Sequence, residues 1–295
     1  MLRTTGTAGR AISRRETWVS YMFLLPSLVF FLGFVILPMV IGFVTSFFNY
    51  TMTDFQFIGF QNYLELFQDP IFHKALKNTL LIVVVSVPIV LLFSLWVSAA
   101  LVRMSNFWRS FYRIIFYLPV ITGTVAVTVV WKWMFNNYYG LFNQVLGTKI
   151  NWLGDTRYAI WCIIAILIST SIGQPIVLYV AALSNVDKSI IEAAEVDGAT
   201  SLQVFWKIKW PAIKPTTLYI LVITTINSFQ CFALIQLLTS GGPKYSTQTI
   251  MYYIYYVAFK LNRYGYGTAM GMILTIIIAL FSFLQFRLTK SGETH

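Results

Sequence analysis

The chain has 295 residues, 58% of them hydrophobic and only 11% charged, with a net charge of +11. An average soluble domain is about a quarter charged, so this composition excludes a water-facing globule and indicates a chain that crosses a membrane several times. No dense basic run supports a nucleic-acid partner, and arginine and lysine gathered on one side of a membrane account for the positive charge.

Six stretches are long enough to span, each needing about 20 apolar residues: 19–47, 75–102, 112–135, 158–183, 216–239 and 265–288. The first greatly exceeds the about 7–15 apolar residues of a signal peptide, so it is expected to stay as a helix. Pro26, Pro38, Pro88, Pro119 and Pro175 lie within the spans, which membrane helices tolerate when neighbours satisfy the freed backbone groups. Residues 246–265 hold a seventh apolar segment, 250–259, too short to span and rich in tyrosine. It reads as a helix lying on the membrane surface or against the bundle.

Basic residues set the expected orientation. Arg3, Arg10, Arg14 and Arg15 precede the first span, and Arg103, Arg109 and Arg113 follow the second. Lys188, Lys207, Lys209 and Lys214 follow the fourth, and Arg287 and Lys290 end the sixth. With six spans all four groups fall on one side, the cytoplasmic one. The expected layout is an all-α polytopic membrane protein with both termini cytoplasmic: a tail at 1–17, a membrane domain at 18–288 and a second tail at 289–295. Cys162 and Cys231 lie in apolar stretches and read as small buried hydrophobes.

The polar interruption at 188–211 is the longest cytoplasmic loop. Ser189, with Glu192 three residues on, has the spacing of a capping box. Gly198 supplies a turn that side-chain-bearing residues resist. A second helix is expected over 201–209, ended by Pro211 and Pro215. The product is a helical hairpin beneath the bilayer. Its small face of Ala193, Ala194 and Ala199, flanked by acids, suits docking into a groove; an ordinary amphipathic loop fits the spacing equally well.

Glu192-Ala193-Ala194, three residues, Gly198, nine residues, Ile208, one residue and Trp210-Pro211 together resemble the EAA loop of ATP-binding-cassette importer permeases. Trp210 stands where that family usually has leucine. Asp197-Gly198-Ala199 and Phe205 sharpen the resemblance toward the carbohydrate-uptake branch. Residues 59–72, 116–146, 151–155 and 237–247 resemble further segments of that branch in the same order. The resemblance implies the type I importer permease fold in a bacterial-type cell membrane, a second homologous permease, two ATPase subunits, an extracytoplasmic binding protein and a sugar substrate. It implies that Glu192 faces a basic group on the ATPase, that Ala193 and Ala194 allow close approach, and that Gly198 makes the turn. Asp197 and Ala199 belong to the same coupling set. The chain lacks the Gly-x4-Gly-Lys-Ser/Thr loop, so ATP and Mg are expected on the partner ATPase and no cofactor on this chain.

A substrate path needs polar groups facing the bundle interior. Thr224, Asn227, Ser228 and Cys231 recur at i, i+3, i+4 and i+7 in the fifth span. Thr170, Ser171 and Gln174 precede Pro175 in the fourth, and Thr122 and Thr124 follow Pro119 in the third. Hydroxyls and amides suit a sugar, and Trp131 and Trp133 offer rings for stacking. The path candidates are Thr124, Trp131, Thr170, Ser171, Gln174, Thr224, Asn227 and Ser228; each also suits a role as interhelical glue. Lys132 reads as an interfacial snorkelling charge.

No catalytic set or metal cluster is visible in the spans, so the chain is read as a transport subunit and not an enzyme. The alternatives are a permease for another solute such as glycerol phosphate, or an ion-coupled secondary transporter. The latter relies on midplane ionisable groups, and the spans are almost free of acids.

Overall fold

The computed structural model describes residues 14–290. In chain order, α1 (Arg14–Phe31) passes through a π-helical turn at Leu32–Ile36 into α2 (Leu37–Thr45). A hairpin of β1 (Phe48–Tyr50) and β2 (Phe55–Phe57), the short α3 (Gln61–Gln68) and the long α4 (Pro70–Val102) follow. Next come α5 (Asn106–Ile121), α6 (Thr124–Met134), α7 (Leu141–Leu146), α8 (Ala159–Ser171) and α9 (Gly173–Ser184). The second half holds α10 (Lys188–Val196), α11 (Ser201–Val204), α12 (Trp210–Phe229), α13 (Ala233–Leu238), α14 (Ile250–Tyr255) and α15 (Tyr264–Lys290).

Five helical segments are long and apolar enough to cross a membrane: Tyr21–Thr45, Pro70–Val102, Ala159–Ser184, Ser201–Leu238 and Tyr264–Leu288. The count is six when α5 and α6 are taken as one span, although they meet at 96°. The third span is therefore not the single helix expected over 112–135. Pro119 removes one backbone donor near the end of α5, Thr122 is extended, and Gly123 leaves the helical region before α6 starts.

Two other prolines act differently. The N–H of Leu37 donates to the Leu32 carbonyl one residue before Pro38, and that of Trp210 to the Phe205 carbonyl one residue before Pro211. Each π turn widens the helix where a proline ring would crowd the preceding turn, so the helix continues. Pro211 and Pro215 consequently do not end the helix that starts at Ser201; it runs on to Phe229. The fifth span breaks later, at Gln230–Phe232, within the stretch expected to be continuous.

α4 is the central column and packs against α8, α9 and α12. Its buried face carries small hydroxyls. Ser94 and Ser98 donate to the Ile172 and Ile176 carbonyls at 3.3 and 3.0 Å, and Ser86 bonds Ser228 at 3.1 Å. Interhelical bonds of this kind average about 0.6 kcal/mol in membranes. Replacing Ser94 and Ser98 together by alanine is expected to lower stability by about 1 kcal/mol, read as a small fall in melting temperature in detergent with uptake retained.

Gly173 lets α9 meet α5 closely: a Cβ there would lie 2.5 Å from the Phe116 carbonyl oxygen and 2.9 Å from a Val120 methyl. The first span, by contrast, is largely uncovered, with Phe23 82% and Phe34 76% exposed. It keeps its outer surface for lipid or another chain.

The segment at 246–265 lies against the bundle. Thr249 caps α14 through Tyr252 N, a π turn extends the helix through Lys260, and α14 packs on α4 and α15 with Tyr252 and Tyr253 buried. The β1–β2 hairpin was not expected. It pairs Phe48 with Phe57 and Tyr50 with Phe55, which gathers four aromatic rings on one face.

Next to it, Asp69 joins three elements. Its Oδ1 accepts from Ile71 N and Phe72 N at the start of α4, and its Oδ2 accepts from the Tyr253 and Tyr266 hydroxyls at 2.6 and 2.9 Å. Glu65 accepts two bonds from the Arg263 guanidinium, at 2.7 and 2.6 Å. Partial burial pushes the Asp69 carboxyl up, but the hydroxyls and amides outweigh it and hold it below its ordinary value of 3.8. A depressed carboxylate contributes stability that is complete above the unfolded value and is lost as pH falls through the folded one. The melting temperature is therefore expected to be flat down to about pH 5 and to fall below about pH 4. Asp69→Asn should lower it at neutral pH and reduce that acid slope; an unchanged slope would count against this role.

Candidate functional site

The polar candidates gather at a cavity of about 190 Å³ between α5, α8, α9 and α12. Thr170, Ser171, Gln174, Thr224 and Asn227 line it, with Tyr219 and apolar Val120, Ile220 and Ile223. An adjoining cavity of about 320 Å³ shares Val120 and Thr170 and adds Thr124, Gly123, Gln230 and Cys231. Among the described residues, no charged side chain lines either cavity.

Thr170 turns its hydroxyl to the Ile166 and Leu167 carbonyls of its own helix. Among the described residues, Ser171, Gln174, Thr224 and Asn227 make no side-chain hydrogen bond. Four uncommitted neutral groups thus meet in one space between helices. Polar groups inside a protein are normally paired, so such a cluster can serve a ligand or water.

Two expected path residues lie elsewhere. Ser228 is buried against α4 and bonded to Ser86, so it ties helices together. Trp131 stacks on Phe135 and Phe142, with ring centres 5.6 and 6.2 Å away, inside the aromatic cluster under α7. Cys231 lies past the end of α12, so the i+7 position does not continue one helical face.

The cavities sit where spans are interrupted: the α5–α6 bend, the α8–α9 joint beside Gly173, and the α12–α13 break at Gln230–Phe232. Tyr219, Gly123 and Gln230 were not singled out from sequence. Pro119 with Gly123, and Gly173 with Pro175, are the sequence marks of the first two interruptions. Broken helices bring backbone groups and side-chain ends to the same depth.

The second candidate region is the hairpin of α10 and α11. Asp187 caps α10 by accepting from Ser189 N at 2.8 Å. Ser189 already lies inside the helix, so the expected box with Glu192 does not form. The capping box belongs instead to α11, where Thr200 accepts from Gln203 N and the Gln203 side chain accepts from Thr200 N.

Gly198 has φ of 81°, in the left-handed region. Gly198 N donates to the Glu195 carbonyl and Ala199 N to the Ala194 carbonyl, at 3.1 and 2.9 Å. Together these bonds are a Schellman closure, which needs a residue free of a Cβ at that point.

Glu192, Ala193, Asp197 and Gly198 are exposed, while Ala194 and Ala199 are half-buried. Among the described residues Glu192, Glu195 and Asp197 make no ion pair. Apolar Ile190, Val196 and Leu202 stand exposed beside them, Val196 at 88%. Asp187 is fully exposed and held below its ordinary value by its bonds to Ser189. The hairpin's second limb is the root of α12. A helix of about 1.5 Å per residue runs without a break from Ser201 at the hairpin to Asn227 at the cavity.

Comparison with known proteins identifies the family and the fold. Residues 72–291 match the family model of the binding-protein-dependent transport system inner membrane component. The probable ABC transporter permease YurN of Bacillus subtilis is 31% identical over 93% of this chain and 97% of its own. The multiple sugar-binding transport system permease MsmF of Streptococcus mutans is 32% identical over 92% and 96%. A chain of a bacterial alginate ABC transporter, solved with an alginate pentasaccharide-bound periplasmic protein, superposes with a TM-score of 0.84 at 25% identity, covering 95% of this chain and 96% of that one. The chain belongs to the family of binding-protein-dependent transport system inner membrane components, and its fold is that of an ABC importer permease.

Proposed function

We propose that the chain is the permease of an ATP-driven sugar or oligosaccharide importer, working by alternating access, with both termini and the 188–211 hairpin on the cytoplasmic side. A binding protein delivers the solute from outside, a second permease completes the path, and two ATPase subunits hydrolyse ATP. The continuous helix from the hairpin to the cavity carries this reading. A displacement imposed on α10 and α11 by a partner reaches Tyr219, Thr224 and Asn227 along one rigid rod.

The hairpin's unpaired acids and exposed apolar side chains suit a groove with basic walls. Ala193 and Ala194 keep that contact close. ATP and Mg belong to the partner, since this chain has no phosphate-binding loop.

Sugars are the substrate class named for MsmF, and in the superposed structure an alginate pentasaccharide, an acidic sugar, is bound to the periplasmic protein. The neutral lining of both cavities favours an uncharged sugar over glycerol phosphate or another anion, which a cation in the path would serve better. Reconstituted transporter tested with neutral and anionic solutes decides between them. Neutral oligosaccharide alone should stimulate ATP hydrolysis in the presence of the binding protein; stimulation by an anionic solute alone would overturn the neutral-sugar reading.

A further inference from the structure

A third cavity, of about 350 Å³, lies outside the bundle along α5, away from the polar path. It is lined by Ser110, Arg113, Ile114, Tyr117, Leu118 and Ile121, with Val177 from α9 as its floor. The α5 residues recur at three- and four-residue steps, so they form one stripe. Its ends differ: Ser110 and Arg113 sit at one, Leu118 and Ile121 at the other.

Arg113 is half-buried, and among the described residues its guanidinium makes one hydrogen bond, from an N–H to Ser110 Oγ at 3.2 Å. Nearby Arg109 differs, because its donors are taken up by the Leu101, Val102 and Met104 carbonyls at the end of α4. Among the described residues no carboxylate pairs with Arg113, and the sequence has no acid between Asp69 and Asp155. A guanidinium has five donors in a fork that fits phosphate oxygens. Four of Arg113's are uncommitted beside an apolar trough.

The length of the trough is informative. The eleven residue steps from Ser110 to Ile121 rise roughly 17 Å, which is about half of a bilayer's roughly 30 Å hydrocarbon core. The trough is thus about as long as one leaflet is deep, charged at one end and apolar at the other. We infer that it holds one anionic phospholipid, with the phosphate on Arg113 and Ser110 and an acyl chain along Ile114, Leu118 and Ile121. A helix of another chain would cover the apolar part but leave the arginine unneutralised unless it brought an acid.

The test uses the transporter purified with its partner subunits and relipidated with equal phosphatidylglycerol and phosphatidylcholine. Native mass spectrometry counts the retained lipids. Wild type should keep one phosphatidylglycerol more than Arg113→Gln, whose retention should fall about fivefold, and Arg113→Lys should keep most of it. Phosphatidylcholine retention should be the same in all three. A benzophenone label on Leu118→Cys should form a lipid adduct; Cys162 and Cys231 are buried and leave the added thiol as the reactive one. Equal phosphatidylglycerol retention in wild type and Arg113→Gln, or a label adduct to a polypeptide, would overturn the inference.

Discussion

Gly198→Val is expected to abolish solute uptake while the chain still inserts, folds and reaches the membrane in normal amount. At φ of 81° glycine is unstrained, whereas a residue with a Cβ pays about 1–2 kcal/mol in the left-handed region and a β-branched one more. An added Cβ meets nothing within 4 Å, so the strain is not compounded by a clash and does not spread into the bundle. It falls on the closure between α10 and α11, where Gly198 and Ala199 bond the last carbonyls of α10. The two limbs should then leave the turn at a different angle, so that Glu192 and Ala193 are presented differently to the proposed ATPase partner. Gly198→Asn is the control, because asparagine adopts the left-handed conformation more readily; it should keep a substantial part of the uptake. Uptake and membrane abundance measured side by side separate loss of coupling from loss of protein.

The second large effect is at the cavity. Gln174→Leu combined with Asn227→Leu should raise the half-saturating solute concentration by about 5–150-fold, from about 0.5–1.5 kcal/mol for each of two hydrogen bonds lost to substrate. ATP hydrolysis without solute should stay unchanged, since neither residue lies on the hairpin. Ser228→Ala is the contrasting variant. Its hydroxyl bonds Ser86 and lines neither cavity, so half-saturation should barely move. An equal shift in Ser228→Ala and in the double variant would show that the cavity is not the path.

Much of this architecture was legible because a bilayer is a simple solvent. Apolar length alone located the spans, and the tyrosine-rich piece at 250–259 was too short to be another. What the sequence hid were the interruptions. Periodicity reports which face is apolar, not whether the axis stays straight, so 112–135 read as one helix although Pro119 and Gly123 bend it by 96°. Pro211 and Pro215 misled in the opposite direction, because a π turn ahead of Pro211 absorbs the ring and keeps the helix whole. The choice of cap at α10 rested on two residues of register: Asp187 and Ser189 both suit a cap, and the helix begins early enough to use the aspartate.

The site shows the same division. Thr170, Ser171, Gln174, Thr224 and Asn227 meet at one cavity because the spacing on each span was right and the spans pack together. Ser228 and Trp131 satisfied the same chemical criteria and lie elsewhere, one bonded to α4 and one in an aromatic stack. Hydroxyls and rings serve packing as readily as ligands, and only the packing partner distinguishes the two. The hairpin's Gly198 was more readable, since a turn that requires positive φ leaves few residue choices.

Under the proposed function, energy enters the chain at the hairpin. The most direct test of this is affinity purification of the gently solubilised chain, wild type and Ala193→Arg, followed by assay of the eluate for an ATP-hydrolysing subunit. The large charged side chain on the exposed small face should block close approach while leaving the bundle intact. The expected result is an ATPase that co-purifies with wild type and is lost from Ala193→Arg at equal recovery of the permease. An ATPase retained undiminished by Ala193→Arg, or absent from a wild-type preparation that still transports, would contradict the coupling role of this hairpin.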